Sequence, residues 1–351
     1  MLTRAVDMAD QAEFALWYGL SREADLSGRP EHAPFFSQRE AQVIFSGADA
    51  AQEVTAYAGF EGDTMHGTGF ISLPLLDNLD KASVYVAVPP ARRRRGIGAA
   101  MLGDLVDLAA RAGRTTILSE CYVPADLVES HGSRRFAERN GFTHANTEIR
   151  RELRLPVPDQ TLSGWTSEAS PHDTGYTIGT FVDDVPQELV SSLCHVRNQL
   201  GLDAPTGDID HEEEAMTPEA FLQRQVLRRE TGATTYWTLA TDASGDTVAF
   251  TSLSVPADPP DLVHQGGTVV LREHRGHRLG LAVKAANLAA LQAAHPKRTL
   301  VTTQNAESNA PMVAINEKMG FRAVEVLLEF QRVVPPPSPD AAAQAGAENP
   351  S

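Results

Sequence analysis

Two short stretches of the chain combine arginine and glycine in a pattern suited to binding phosphate groups. Residues 93–98 read Arg-Arg-Arg-Gly-Ile-Gly, and residues 275–280 read Arg-Gly-His-Arg-Leu-Gly. Each stretch follows an apolar run that is typical of a strand and precedes an alanine- and leucine-rich stretch that is typical of a helix. A strand, a glycine-containing turn and a helix N-terminus together present several backbone N–H groups to a pyrophosphate. We therefore predict a phosphate-binding turn in each half of the chain.

A second marker repeats at nearly the same distance from each turn. Gly141-Phe142 lies 48 residues after Arg93, and Gly320-Phe321 lies 45 residues after Arg275. The two turns are 182 residues apart, which is the size of a domain rather than of a short structural repeat. The sequence therefore predicts two related domains.

The predicted boundaries follow the composition of the chain. We expect an N-terminal domain over 1–155, a linker over 156–175, a C-terminal domain over 176–334 and a disordered tail over 335–351. The linker is rich in Pro, Ser, Thr and Asp, which favour turns. The tail begins with Pro-Pro-Pro-Ser-Pro and lacks the apolar residues that a core requires.

On these motifs both halves resemble the GNAT superfamily of acyl-CoA-dependent N-acyltransferases. That family's acetyl-CoA motif reads Gln/Arg-x-x-Gly-x-Gly/Ala after the fourth strand, and a later helix ends in Gly-Phe. The matching positions are Arg93, Gly96 and Gly98 in the first half and Arg275 and Gly280 in the second. The tandem layout is similar to that of mycothiol synthase-like two-domain actinobacterial acetyltransferases, over roughly 1–334. The resemblance implies an α/β fold in each domain, with a mostly antiparallel mixed sheet flanked by helices.

The resemblance also implies acetyl-CoA as the co-substrate, bound along the strand and the turn of each motif. The implied residues are Val86, Ala87, Val88, Arg93, Arg94, Arg95, Gly96, Ile97, Gly98 and Ala99 in the first half, and Val269, Val270, Arg275, Gly276, Arg278, Gly280, Asn305 and Asn309 in the second. Arg278 replaces the first glycine of the motif, so its side chain could block the cofactor or add a phosphate contact. Asn309 could contact the cofactor or cap the helix that follows it.

The implied reaction is acetyl transfer to the amine of a small molecule by direct attack on the thioester. An alkylamine has a pKa near ~10, so it must lose a proton to a base before or during attack. Many family members use a tyrosine four residues before the Gly of Gly-Phe as the acid, but this chain has Ala137 and Asn316 there. Glu120 and Tyr122 are candidates for base and acid, with a plain structural role as the alternative. Without the tyrosines, a noncatalytic acyl-CoA-binding or scaffold protein is the alternative function.

The charge and composition of the chain limit which kinds of partner it is expected to bind. The formal net charge of −16 disfavours binding to nucleic acid or to membrane surfaces, and it suits a cationic amine. Seven acidic residues and no Lys or Arg lie between 203 and 219, a stretch that could attract the amine or form a solvated loop. No apolar run approaches the ~18–20 residues of a membrane span, and the N-terminus lacks a signal-peptide pattern. The two cysteines suggest neither disulfides nor metal binding. We expect a cytoplasmic monomer or homodimer without a metal.

Overall fold

Strands and helices alternate twice along the chain in the same order. The computed structural model describes residues 1–170, 172, 174–203, 205–259 and 261–335. The first half contains β1 (Leu2–Ala5), α1 (Gln11–Leu26), α2 (Gln38–Ser46), β2 (Gln52–Glu61), β3 (Thr64–Pro74), β4 (Lys81–Ala87), α3 (Ile97–Arg111), β5 (Thr116–Val123), α4 (Gly132–Arg139) and β6 (Thr143–Arg154). The second half contains α5 (Asp159–Ala169), β7 (Thr177–Val182), α6 (Gln187–Asn198), α7 (Leu200–Asp203), α8 (Pro218–Glu230), β8 (Thr234–Thr241), β9 (Thr247–Val255), β10 (Leu262–Val270), α9 (Leu279–Ala294), β11 (Leu300–Ala306), α10 (Ala310–Lys318) and β12 (Arg322–Val333). All of the predicted tail except residue 335 lies outside the described residues.

Each of two compact units uses a strand from the other half of the sequence. Among the described residues, unit 1 contains 1–147, 207–209 and 326–335, and unit 2 contains 148–206 and 210–325. In unit 1, β12 pairs antiparallel with β5, and in unit 2, β6 pairs antiparallel with β11. The predicted boundaries place β6 in the N-terminal domain and β12 in the C-terminal domain. The two compact units instead exchange these strands. A strand's pattern marks its length and faces, but it does not say which neighbour it pairs with.

Both sheets are mixed and mostly antiparallel, which confirms the predicted fold class. In unit 1 the strands run in the order β1-β2-β3-β4-β5-β12, and only β4 and β5 are parallel neighbours. In unit 2 the order is β6-β11-β10-β9-β8-β7, and only β10 and β11 are parallel. In each unit the parallel pair is therefore formed by the strands on either side of the motif helix.

The predicted linker contains helix α5, which the sequence analysis missed. Its buried residues are Leu162, Trp165 and Ala169, spaced at three and four residues as an amphipathic helix requires. Pro158 precedes the helix and Asp159 lies in its first turn, so the residues interpreted as turn signals instead mark a helix start. With only three apolar positions among polar residues, the helical period of this segment could not be recognised in the sequence.

Helix α1 of unit 1 is held by an aromatic core. Asp10 caps the helix by accepting from the N–H groups of Ala12 and Glu13. The buried ring of Trp17 donates from Nε1 to the carbonyl of Tyr57 at 3.0 Å and packs edge-on against Phe45. These contacts hold the first half of α1 in place against the sheet.

The core of unit 2 contains one lysine. Lys284 of α9 is 2% exposed, and its Nζ lies 5.4 Å from the centre of the Phe321 ring. Burial lowers the pKa of Lys284 to about 7, because removing an ammonium group from water disfavours the charged form.

We expect Lys284→Met to raise the free energy of unfolding by on the order of 2–4 kcal/mol at pH 7 and below. The amine has a lower pKa in the folded protein than in the unfolded chain, so the unfolded state binds the extra proton between pH 7 and the ordinary lysine pKa of 10.5. The stability of the wild type should therefore rise with pH in that window, and the gain from Met should shrink. Denaturant titrations at several pH values would measure this, with the exposed Lys297→Met as the control. Equal effects of both substitutions at every pH would contradict the prediction.

Candidate functional site

The two predicted phosphate-binding turns have the same backbone path. Short 3-10 turns over Pro90–Arg92 and Arg272–His274 lead into residues 93–98 and 275–280, which we call the first and second phosphate loops. Each loop contains two residues with positive φ: Arg94 (66°) and Gly96 (82°) in the first, and Gly276 (87°) and Arg278 (53°) in the second. Arg278 thus adopts the left-handed conformation of the glycine that it replaces, at a cost of roughly 1–2 kcal/mol. The replacement leaves the course of the backbone unchanged.

The first arginine of each loop braces the loop itself. Arg93 donates from Nε to the carbonyl of Val88 at 2.8 Å and from Nη2 to the carbonyl of Ala24 at 3.1 Å. Arg275 donates from Nε to the carbonyl of Val270 at 3.2 Å. These side chains tie each loop to the strand before it. Other arginines and backbone N–H groups of the loops are therefore the better candidates for the predicted phosphate contacts.

The first phosphate loop keeps donors at its surface, although Arg95 Nη2 donates to the carbonyl of Ala91 at 3.4 Å. Arg94 and Arg95 are exposed, and no side chain caps the N-terminus of α3 among the described residues. A Cβ placed on Gly96 would meet no other described atom within 4 Å. Unpaired amide groups at a helix start, two guanidinium groups and free space meet the needs of a pyrophosphate.

In the second phosphate loop, by contrast, an arginine is paired with a carboxylate of unit 2. Glu168, at the end of α5, forms ion pairs with both Arg278 and Lys318. The Lys318 and Arg278 charges hold the pKa of Glu168 below its usual value, so the carboxylate is charged at neutral pH. The ring of His277 contacts the carbonyl of His172 at 3.1 Å through Nδ1. Glu168 therefore already occupies the guanidinium group of Arg278, which would otherwise be available to a phosphate.

In each unit the parallel strands separate after three paired residues. In unit 1, Lys81–Ser83 of β4 pair with Thr116–Leu118 of β5, and 84–87 have no partner in β5. In unit 2, Leu262–His264 pair with Leu300–Thr302 in the same way. We call the opening between 84–87 and 119–123 the unit 1 cleft. The predicted thioester-binding residues Val86 and Ala87 lie along it, and Val88 follows directly.

Glu120 lies in the unit 1 cleft, two residues beyond the last β4–β5 pair. Its side chain remains exposed to water at the mouth, while protein surrounds it on the other sides. The surrounding protein displaces part of the water around the carboxyl group, which raises the pKa of Glu120 to about 7. The negative charges of Glu329 and Asp25 add to this rise, and the charge of Arg29 opposes it. A carboxyl group with a pKa near neutrality can both accept and release a proton at physiological pH.

Tyr122 lies two residues further along β5, so it shares a face of the strand with Glu120. The Arg29 guanidinium lies 3.9 Å from the centre of the Tyr122 ring. Asp25 of α1 holds Arg29 by an ion pair of 2.6 Å and accepts from the Tyr85 hydroxyl at 2.6 Å. Both predicted catalytic residues thus face α1.

The sequence analysis missed Glu329 of β12. In the β5–β12 register Glu329 is the direct partner of Glu120, and its carboxylate accepts from Asn146 Nδ2 at 2.5 Å. The only sequence signal was a charged residue between buried ones in a strand. That signal could not place Glu329 here, because β12 belongs to the other half of the sequence.

The corresponding positions of unit 2 carry different chemistry. Counting from the first parallel pair in each unit, Glu120 corresponds to Gln304, and the strand partner of Gln304 is Arg150. Arg150 is buried and forms ion pairs with Glu325 at 2.9 Å and Glu152 at 2.8 Å. Unit 2 therefore has an amide and a neutralised arginine where unit 1 has two carboxyl groups.

The predicted cofactor contacts Asn305 and Asn309 make hydrogen bonds within unit 2. Asn305 Oδ1 accepts from Arg151 at 3.2 Å and from Asn316 at 3.0 Å, and Asn305 Nδ2 donates to the carbonyl of Ala306. Asn309 caps α10 by accepting from Met312 N at 3.3 Å. The cap agrees with the structural alternative for Asn309, and a cofactor contact by either residue stays a prediction.

Part of the acidic stretch lies against unit 1. Asp208 donates its backbone N–H to the carbonyl of Ala145 at 2.8 Å and accepts from the side chain of Gln331 at 3.1 Å. Gly207 permits this approach, since its φ is 62° and an added Cβ would lie 2.0 Å from the Ala145 oxygen. Of the acidic stretch, only 207–209 belong to unit 1, and they contact it through backbone groups.

Neither cysteine is suited to act as a nucleophile. Burial raises the pKa of Cys121 to about 12 and that of Cys194 to about 11, so both thiols stay protonated. Among the described residues, no group of three His, Cys, Asp or Glu side chains could hold a metal ion. No described helix combines the length and the hydropathy that crossing a membrane would require.

Comparisons with known proteins give relatives along most of the chain. A mycothiol acetyltransferase of Saccharomonospora viridis is 27% identical over 325 residues, covering 88% of this chain and 91% of the relative. Among solved structures, a tandem GNAT protein from the clavulanic acid biosynthesis pathway has a TM-score of 0.75 and 25% identity, covering 96% of this chain and 99% of that one. A GCN5-related N-acetyltransferase from Sphaerobacter thermophilus shares the fold, with a TM-score of 0.63, 18% identity and 96% of both chains covered. No family model matches the sequence.

Proposed function

We propose, from the premise that the chain is a tandem GNAT acetyltransferase, that unit 1 transfers the acetyl group of acetyl-CoA to the amine of a small molecule. The observation that carries this proposal is the carboxyl group of Glu120 in the unit 1 cleft, where unit 2 has Gln304. A base within the cleft is what the attack of an amine on a thioester requires.

The first phosphate loop supplies the features that a bound acetyl-CoA would need. Arg94, Arg95 and the first amide groups of α3 would hold the pyrophosphate, and the free backbone edge of 84–87 would bind the pantetheine arm as a strand. The co-substrate would bring the activated thioester carbon and a thiolate leaving group. By family resemblance, a backbone N–H of Val86, Ala87 or Val88 would stabilise the oxyanion.

Proton transfers then follow from the positions of the two β5 side chains. Glu120 takes one proton from the ammonium group of the acceptor, and the neutral nitrogen attacks the thioester carbon. The new C–N bond forms as the C–S bond breaks, and the second proton of the nitrogen passes to solvent. The departing thiolate takes a proton from Tyr122, which solvent restores. The protonated cysteines support this direct transfer over an acyl-cysteine intermediate.

The charge around the unit 1 cleft favours a cationic acceptor. Glu120, Glu329 and Asp25 contribute carboxyl groups, and the charge of Arg29 opposes them in part. Such a field raises the local concentration of an ammonium substrate. The Saccharomonospora viridis relative is a mycothiol acetyltransferase, so acceptors of that enzyme belong in a substrate panel beside amino sugars, aminoglycosides and peptides.

We expect acetyl-CoA-dependent N-acetylation of at least one cationic amine in such a panel. Release of free thiol from acetyl-CoA and mass spectrometry of the product would measure it. The control is the double variant Arg94→Glu with Arg95→Glu, whose exposed side chains can change without disturbing the core. Binding of acetyl-CoA without turnover of any amine would instead favour a noncatalytic acyl-CoA-binding protein.

A further inference from the structure

Two carboxyl groups face each other across the β5–β12 pair of unit 1. Glu120 and Glu329 are direct partners in the antiparallel register. Side chains in such positions leave the same face of the sheet, with Cβ atoms about 4.5–5.5 Å apart. Like charges placed this way destabilise a sheet, so the pair is an unfavourable arrangement for structure alone.

The two carboxyl groups differ in their hydrogen bonds. Glu329 accepts from Asn146 Nδ2 at 2.5 Å, which favours its charged form, whereas the side chain of Glu120 makes no hydrogen bond with the described residues. Burial raises the pKa of both groups, and Asn146 and the charge of His144 oppose the rise at Glu329. The titratable groups around the pair are Asp25, Arg29, Tyr85 and His144. Two carboxyl groups in one site cannot both ionise easily, so Glu120 is the one that holds the proton longer.

We propose that Glu329 is a positioning residue that acts through Glu120, keeping that carboxyl group able to hold the amine's proton at neutral pH. The proposal rests on the proposed function of unit 1. The residue that tunes the base of unit 1 is thereby supplied by the last strand of the chain. A carboxylate with an ordinary pKa would be a much weaker base toward an ammonium group.

Glu329→Gln tests this inference with little change of shape, since the new amide oxygen can still accept from Asn146. The measurement is kcat/KM against pH in the full-length protein with acetyl-CoA and an accepted amine. The wild type should lose activity below about pH 7, where Glu120 takes up its proton. The variant should shift this midpoint to lower pH by about one unit, because a neighbouring negative charge has been removed. Glu317→Gln, the same change on an exposed helix, should leave the midpoint in place.

A lower kcat with an unchanged midpoint would overturn the inference and leave Glu329 a structural residue. A wild-type profile that survives in Glu120→Gln would instead overturn the proposed base, so the two failures are distinguishable. If Glu329→Gln does not fold, Asn146→Ser provides the second test. Without its amide donor, Glu329 should accept a proton more readily, and the activity midpoint should again move to lower pH. An unchanged midpoint in that variant would also overturn the inference.

Discussion

Glu120→Gln is expected to lower kcat/KM by ~10²–10⁴-fold, the usual contribution of general acid–base catalysis. The amide cannot take the amine's proton, although it fills nearly the same space. The affinity for acetyl-CoA should change little, because the contacts proposed for the cofactor lie on the first phosphate loop and on the backbone of 84–87, and the Glu120 side chain on β5 supplies none of them. Stability should hold or rise, since the substitution removes the repulsion with Glu329. Steady-state kinetics, calorimetric titration of acetyl-CoA and thermal unfolding would measure the three quantities.

Gln304→Ala is the matched control for this experiment, because Gln304 occupies the corresponding strand position of unit 2. It should retain wild-type kcat/KM. A loss of less than tenfold in Glu120→Gln would remove Glu120 from the role of base. A large loss in Gln304→Ala would move the chemistry to unit 2.

Gly98→Trp is expected to weaken acetyl-CoA binding by at least ~100-fold, or about 2.7 kcal/mol. A Cβ on Gly98 would already lie 3.3 Å from the Phe136 ring, so an indole there must displace either the first turn of α3 or the Phe136 side chain of α4. In Gly280→Trp the added Cβ would lie 3.2 Å from Ile315. This variant therefore perturbs the second phosphate loop as Gly98→Trp perturbs the first. Calorimetry should give one site per chain in the wild type, none in Gly98→Trp and one in Gly280→Trp.

The expectation of one acetyl-CoA site per chain assumes that the ion pairs of Glu168 keep phosphate away from the second loop. Two sites in the wild type would show that this ion-pair cluster does not exclude the cofactor. Loss of binding only in Gly280→Trp would reverse the assignment of the two units. The double variant Arg94→Glu with Arg95→Glu gives a second reading of the first loop, since both side chains are exposed and can change without strain.

The sequence predicted best those parts of the candidate site whose residues lie close together along the chain. The strand, turn and helix around Gly96 are local, and their signals lie within some 30 residues. Glu120 and Tyr122 could be predicted because β5 directly follows the motif helix. Their relation to each other follows from the two-residue period of a strand.

The rest depended on contacts between distant residues. Asp25 lies at the end of α1 and Arg29 lies three residues beyond the helix, and nothing local links them to Tyr122, 93 residues after Arg29. Glu168 belongs to a helix whose three buried residues did not reveal a period. Glu329 required knowledge of which strand pairs with β5, which depends on competition among all the strands.

The exchange of the last strands also bears on how the protein is made. β5 leaves the ribosome about 200 residues before its partner β12. At 5–20 residues per second, that wait lasts roughly 10–40 s. During it, unit 1 has a strand with unpaired N–H and C=O groups at its edge, which is a template for aggregation or for pairing with the wrong strand. Premature termination anywhere before residue 326 would therefore damage unit 1 as well as unit 2. The yield of active protein should also depend on how well nascent chains are protected from aggregation during synthesis.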